Sequence, residues 1–242
     1  MTSLHGKWSF ITGASRGVGA HLARGLADLG SNLVLHSRDL SHTAELAERL
    51  RSIGVKVVTV AAELSDPTQV DPLLDRVQSA AQIDILYNNA AIQVPKQAAN
   101  WQTSVDDLRR SLEVNLISLI RICDRVAPPM LQRGWGRIIN LTSGIADQPE
   151  QTAYAVSKAA VDKYVRDFAP KLRGTGVQMN LLDPGWLRTD LGGPNAPGDP
   201  ASVLPGALVP ALLDNGESGR LFRAQDYAGL SLAGALQKAL TP

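Results

Sequence analysis

The sequence predicts an α/β fold in which a doubly wound parallel sheet carries helices on both faces. Three observations predict it. Short β-rich runs alternate with longer amphipathic stretches along most of the chain. Connections of helix length between strands need right-handed crossovers, which lay the strands parallel. A glycine-rich turn follows the first run directly and opens the first helical pattern.

The β-rich runs are "WSFI" 8–11, "NLVLH" 32–36, "VKVVTVA" 55–61, "IDILY" 83–87, "GRIINL" 136–141 and "VQMNLL" 177–182. Between the first three lie the amphipathic stretches "GAHLARGLADLG" 19–30 and "SHTAELAERLRSIG" 41–54. Gly30 and Gly54 stand where a left-handed residue ends a helix. "SDP" 65–67 offers an N-cap Ser or Asp followed by Pro in the first turn. The alternation stops at "GGPNAPGDPASVLPG" 192–206, either a linker or a loop over a site. Too little chain follows it for an ordinary independent domain, which favours the loop and a single domain over 1–242.

Composition bounds the function. With 24 basic and 23 acidic residues the formal charge is +1, which demands neither a nucleic acid nor a membrane partner. Cys123 is the only cysteine, so no intramolecular disulfide or cysteine metal cluster can form, and a reducing compartment fits. The histidines at 5, 21, 36 and 42 have no metal-ligand spacing, and no metal is expected. "MTSLHGKWSF" lacks the apolar stretch and cleavage site of a secretory signal, and no apolar run of about 18 residues suggests a membrane span. A cytoplasmic protein is expected.

The turn "TGASRGVGA" 12–20 is the first functional signal. Gly13 permits the tight turn, Gly17 lets the backbone approach a pyrophosphate, and Gly19 lets helix and strand pack closely. Free N–H groups at the helix start then face an anion. The spacing G-x-x-x-G-x-G resembles the TGxxxGxG turn of the short-chain dehydrogenase/reductase family, classical type, whose domain is a Rossmann fold. The resemblance implies cofactor contacts from Gly13, Ser15, Arg16, Gly17, Val18 and Gly19. Ser37 stands where NAD-specific relatives carry an acid, and Arg38 follows it. Arg16 and Arg38 converging on one ribose favour the 2′-phosphate of NADPH over NADH. The plain alternative is a pair of surface arginines, and Asp39 stands nearby.

Further segments resemble family elements. Glu63, with Leu64, occupies the place of an aspartate that meets the adenine amino group. "NNAA" 88–91 resembles NNAG, with Asn88 expected to hold the turn, Asn89 and Ala90 beside the cofactor, and Ala91 replacing the glycine.

In "YAVSK", Tyr154 and Lys158 are at i and i+4, one turn apart on the same helix face. A core tyrosine with a solvated lysine is the ordinary reading of such a pair. Its placement after a strand ending at Ser143 argues otherwise, because open parallel sheets bind ligands beyond the carboxyl ends of their strands. The resemblance implies the Asn–Ser–Tyr–Lys set of Asn115, Ser143, Tyr154 and Lys158. Tyr154 is then the general acid or base, and Ser143 polarises the same substrate oxygen. Lys158 holds the nicotinamide ribose and lowers the phenol's pKa, while Asn115 holds a water linking Lys158 to solvent. The loop between Ser143 and Tyr154, residues 144–153, is shorter than in many relatives.

"DPGWLRTDLGG" 183–193 resembles the family's PGxxxT segment, implying that Pro184, Gly185, Leu187 and Thr189 engage the nicotinamide carboxamide. The Pro/Gly-rich segment is expected to form a substrate lid over 187–206, or a passive connection, and Trp186 could line an apolar pocket. The cofactor-binding part is expected over 1–140 and the catalytic part over 141–242, with "SGRLFRA" 218–224 as the last strand.

The implied function is NADPH-dependent reduction of a ketone or aldehyde carbonyl, its substrate a small carbonyl compound or alcohol. An oxidative alcohol dehydrogenase using NAD(P)+ and a non-catalytic nucleotide-binding regulator are the alternatives. Helices over 104–133 and 152–173, with Arg109, Arg110, Arg121, Lys163 and Arg166 outward, are expected to pair in a homodimer or homotetramer, or else to be solvated faces.

Overall fold

In the computed structural model, which describes residues 3–95 and 103–241, each predicted β-rich run contributes a strand to one sheet. The strands are β1 (Trp8–Ile11), β2 (Asn32–Ser37), β3 (Val57–Ala61), β4 (Ile85–Asn88), β5 (Gly136–Leu141), β6 (Val177–Asp183) and β7 (Leu221–Arg223). Their order is β3-β2-β1-β4-β5-β6-β7, and every neighbouring pair is parallel. The chain winds outward from β1 to β3, returns to place β4 beside β1, and winds to the other edge. Reversal between β1 and β4 opens a crevice at the carboxyl ends of the strands.

The helices are α1 (Gly17–Asp28), α2 (Ser41–Ser52), α3 (Pro67–Ala80), α4 (Val105–Leu112), α5 (Ser118–Arg133), α6 (Thr152–Phe168), α7 (Val209–Leu212) and α8 (Leu232–Leu240). Two apolar cores, one on each sheet face, account for the run-like hydrophobicity of the strands. Ile11, Leu35 and Ile139 pack with Leu22 and Leu26 of α1 and Leu46 of α2. Phe10, Val34 and Ile138 pack on the other face with Val70 of α3, Ile122 of α5 and Val161 of α6. Asp66 caps α3 by accepting the Thr68 N–H, with Pro67 in its first turn, as "SDP" predicts.

Four sequence expectations are corrected. The helix over 104–133 is broken by a π-helical turn at Glu113–Ile117. The helix over 152–173 ends at Phe168 and passes into a 3₁₀ turn at Ala169–Leu172. Arg121 does not point outward but pairs with Asp71 of α3 at 2.9 Å. Only the first part of the segment 187–206, as far as Gly193, borders the crevice. At its end Leu204, with Leu208 just beyond the segment, packs so closely on α1 that a Cβ on Gly25 would meet Leu208 Cδ1 at 3.0 Å. No described helix is long and apolar enough to cross a membrane.

Candidate active site

The carboxyl ends of β1 to β6 border a cleft of ≈ 1310 Å³. At its floor β1 runs into the glycine turn. Gly13 has φ +65°, and a Cβ there would stand 2.9 Å from Ala90 Cα. Gly19 is required by close approach, since its Cβ would stand 2.3 Å from the Gly13 carbonyl oxygen. The first turn of α1 has no acidic residue and no side-chain cap, which leaves its N–H groups to an anion.

Two side chains to which the sequence assigned no such role hold this turn. Thr12 Oγ1 accepts the N–H groups of Asn89 and Ala90, each at 3.0 Å. His36 Nδ1 accepts the Gly13 N–H at 3.2 Å while Nε2 donates to the Ala62 carbonyl at 3.1 Å. Burial pushes the His36 pKa down to about 4, which keeps this neutral tautomer in place. Its place in β2 was legible, but its partner lies 23 residues away in sequence and has no local signature. The turn-holding role expected of Asn88 belongs to Asn89, whose Nδ2 donates to the Thr12 and Gly13 carbonyls at 2.8 and 2.9 Å. Asn88 ends β4 facing the buried interior, where it donates to Asn140 Oδ1.

Arg16 and Arg38 both border the far end of the cleft. Arg16 pairs with Asp190 at 2.8 Å, drawing the segment after β6 across the glycine turn. Thr189 lies directly over that turn, its Cγ2 3.1 Å from where a Cβ on Gly17 would sit. Arg38 is exposed and makes no ion pair among the described residues. The Asp39 carboxylate turns away into α2, accepting the Ser41 N–H at 2.9 Å and the Ser41 hydroxyl at 2.7 Å. Ser37 donates to the Asp39 carbonyl. The Glu63 carboxylate accepts the Ser65 N–H at 3.0 Å, and Leu64 is buried behind it. Ser15, Val18 and Ala91 complete this wall.

At the near end Ser143, Tyr154 and Lys158 line the cleft together. Tyr154 is 6% exposed, and burial pushes its phenol up to about 12, with Asp183 adding to the effect and the Ser143 hydroxyl opposing it. Lys158 is buried; its Nζ donates to the Leu141 carbonyl at 2.8 Å and stands 5.7 Å from the Tyr154 ring centroid. Burial pulls the ammonium down to about 8, against the opposing charges of Asp162 and Asp183. Burial dominates the shift of the phenol, and the Lys158 cation is bound to a strand carbonyl.

Asn115 does not border the cleft; its side chain is held by the chain after β4 and by α6. Its Oδ1 accepts the Ile92 N–H at 2.8 Å, and Nδ2 donates to the Ile92 carbonyl and to Ser157 Oγ, both at 2.9 Å. It clamps the chain after β4 to α6. Gly185 has φ +83° and donates to Asp183 Oδ1, while the Pro184 carbonyl accepts Gln225 Nε2 at 2.9 Å. Leu187 is anchored in the core, and the Thr189 hydroxyl turns inward to accept the Gly192 N–H at 3.1 Å. Trp186 is 61% exposed, and its indole N–H donates to the Gly192 carbonyl, so it braces the segment.

An uncapped helix start over a glycine turn, a long cleft across the switch point and a Ser–Tyr–Lys set at one end fit a dinucleotide with its reactive ring beside Tyr154. The profile of the short chain dehydrogenase family matches residues 7–199. The chain is 35% identical over 202 residues to an NADPH-dependent aldehyde reductase-like protein, chloroplastic, of Arabidopsis thaliana, covering 78% of this chain and 75% of that protein. A metagenomic short-chain oxidoreductase in complex with NADP superposes with a TM-score of 0.76 at 28% identity, covering 92% of this chain and 99% of that one. A 3-oxoacyl (acyl-carrier-protein) reductase from Agrobacterium tumefaciens C58 with NADP bound superposes with a TM-score of 0.74 at 31% identity, covering 96% and 90%. The chain belongs to the classical short-chain dehydrogenase/reductase family of oxidoreductases.

Proposed function

We propose that the protein is an NADPH-dependent carbonyl reductase that converts a ketone or aldehyde to an alcohol. The observation that carries this reading is the Tyr154 phenol, buried in the cleft wall with Ser143 and Lys158 at the carboxyl end of the sheet. A phenol placed there can donate the proton that a reduced carbonyl oxygen takes up.

The carbonyl carbon receives a hydride from the dihydronicotinamide, which is the chemistry that cofactor supplies when bound. The carbonyl oxygen takes the Tyr154 proton while the Ser143 hydroxyl donates a hydrogen bond to it. The C=O π bond is thus exchanged for one C–H and one O–H bond, and Tyr154 recovers its proton from solvent. Lys158, whose pKa of about 8 lies near neutrality, stabilises the transient phenolate and can pass that proton on. Asn115 acts by fixing α6, and with it Tyr154 and Lys158, against the chain after β4.

The turn from Gly13 to Gly19 holds the pyrophosphate, with Asn89, Ala90, Ala91, Glu63 and Leu64 along the adenosine. Pro184, Gly185, Leu187 and Thr189 border the nicotinamide. Preference for NADPH is supported by the unpaired Arg38 and by Asp39 facing α2 rather than the ribose. A reducing compartment accords with the single, buried Cys123. A homodimer or homotetramer through the α4–α5 and α6 faces accords with the exposed Val105, Ile117 and Val156 there.

Calorimetric titration with NADPH and NADH, on wild type and Arg38→Asp, tests the cofactor assignment. The wild type is expected to bind NADPH more tightly and the variant to lose that preference at least about tenfold. Equal affinities in the wild type overturn the NADPH preference, and binding of neither overturns the enzyme reading.

A further inference from the structure

β6 ends on a carboxylate, Asp183, which lines the same cleft as Ser143, Tyr154 and Lys158. Its two oxygens differ. Oδ1 accepts the Gly185 N–H at 2.9 Å and so shapes the turn at Pro184–Gly185. Oδ2 accepts no hydrogen bond among the described residues. It faces Gly144, where a Cβ would come within 2.9 Å of it, so the missing side chain leaves this oxygen room.

Turn formation alone does not require an acid here, because serine or asparagine makes the same bond to a backbone N–H without a charge. The charge also reaches the reaction centre, where it raises the pKa of both Tyr154 and Lys158. The second oxygen is a charged acceptor open to a donor in the cleft. Lys158 spends its hydrogen bond on the Leu141 carbonyl instead. Nearby, Gln151 Nε2 donates to Gln148 Oε1 at 2.7 Å, and Gln93 bonds Gln151, so amides also line this end of the cleft.

We infer that Asp183 Oδ2 accepts a hydrogen bond from a hydroxyl group on the carbon next to the reacting carbonyl, making the substrates α-hydroxy ketones or aldehydes. This rests on the carbonyl reductase reading and narrows it. A substrate with a carboxylate in that position meets the Asp183 charge, so 2-oxo acids should be poor substrates.

Three four-carbon substrates differing at that one position test the inference with NADPH: 1-hydroxy-2-butanone, 2-butanone and 2-oxobutyrate. The readout is the ratio of kcat/KM values within each enzyme, for wild type, Asp183→Asn and Asp183→Ser. Both replacements retain an oxygen for the Gly185 N–H, so failure of one to fold leaves the other. A charge-assisted hydrogen bond corresponds to about ten- to hundredfold in the hydroxyketone-to-ketone ratio, and that ratio should fall by this factor in either variant. Asp183→Asn should also raise the 2-oxobutyrate-to-ketone ratio, since its amide can donate to a carboxylate. An unchanged hydroxyketone ratio overturns the role of Asp183 and leaves the reductase reading standing. Wild type that binds NADPH yet reduces none of the three, nor any ketone in a wider panel, overturns both.

Discussion

Lysine 158 should cost the protein stability, and the cost should depend on pH in a defined direction. Burial lowers its pKa from 10.5 to about 8, which corresponds to about 3 kcal/mol set against the charged form in the folded state. Below pH 8 both folded and unfolded chains carry the cation, and the whole penalty is present. Between pH 8 and 10.5 the folded chain loses its proton first and the unfolded chain binds more protons, so stability rises with pH and the penalty fades. Replacement by methionine removes the charge and keeps most of the stem. It also leaves the Leu141 carbonyl without its donor, at about 1–3 kcal/mol at every pH. Other groups titrate alike in both proteins and cancel in the difference. Urea unfolding of wild type and Lys158→Met at matched concentration should show the wild type gaining about 2 kcal/mol on the variant between pH 7 and pH 10. A stability difference that does not change with pH would refute the buried-cation argument.

Other consequences follow from the same geometry. Gly19→Ala forces a Cβ to within 2.3 Å of the Gly13 carbonyl oxygen and should abolish nucleotide binding, measured by calorimetry, even if the fold survives. His36 is held neutral with a pKa of about 4, whereas its unfolded form protonates near 6.5, so stability is lost as pH falls across that window, by about 3 kcal/mol in all. His36→Gln should flatten the acid limb of a stability-against-pH curve measured by urea unfolding. Asp190→Ala frees Arg16 from an exposed ion pair worth at most about 1 kcal/mol, so NADPH affinity should rise only a few-fold, and less in high salt.

Legibility in the sequence followed the range of the interactions. The central strands were readable because they are buried on both faces, and the α3 start because Asp66 and Pro67 act within one turn. The Ser143, Tyr154 and Lys158 set was readable because helix spacing and strand order place it without tertiary detail. Roles that depend on which distant group a side chain meets were not. Arg16 finds Asp190, Asn115 spends its amide on Ile92 and Ser157, and His36 reaches back to the glycine turn. The i, i+4 spacing likewise puts Lys158 near Tyr154 but says nothing of the Leu141 carbonyl that takes its hydrogen bond. The reach of the Pro/Gly-rich segment was likewise set by packing on α1 rather than by composition.

The most direct test of the central claim is NADPH-coupled formation of alcohol from a ketone panel, by wild type and Tyr154→Phe, with NADPH affinity measured in parallel. The account predicts turnover by the wild type and a loss of about 10²–10⁴-fold in kcat in the variant while NADPH still binds, since only the proton donor has gone. Equal turnover by Tyr154→Phe, or a wild type that binds NADPH and forms no alcohol from any ketone, would contradict it.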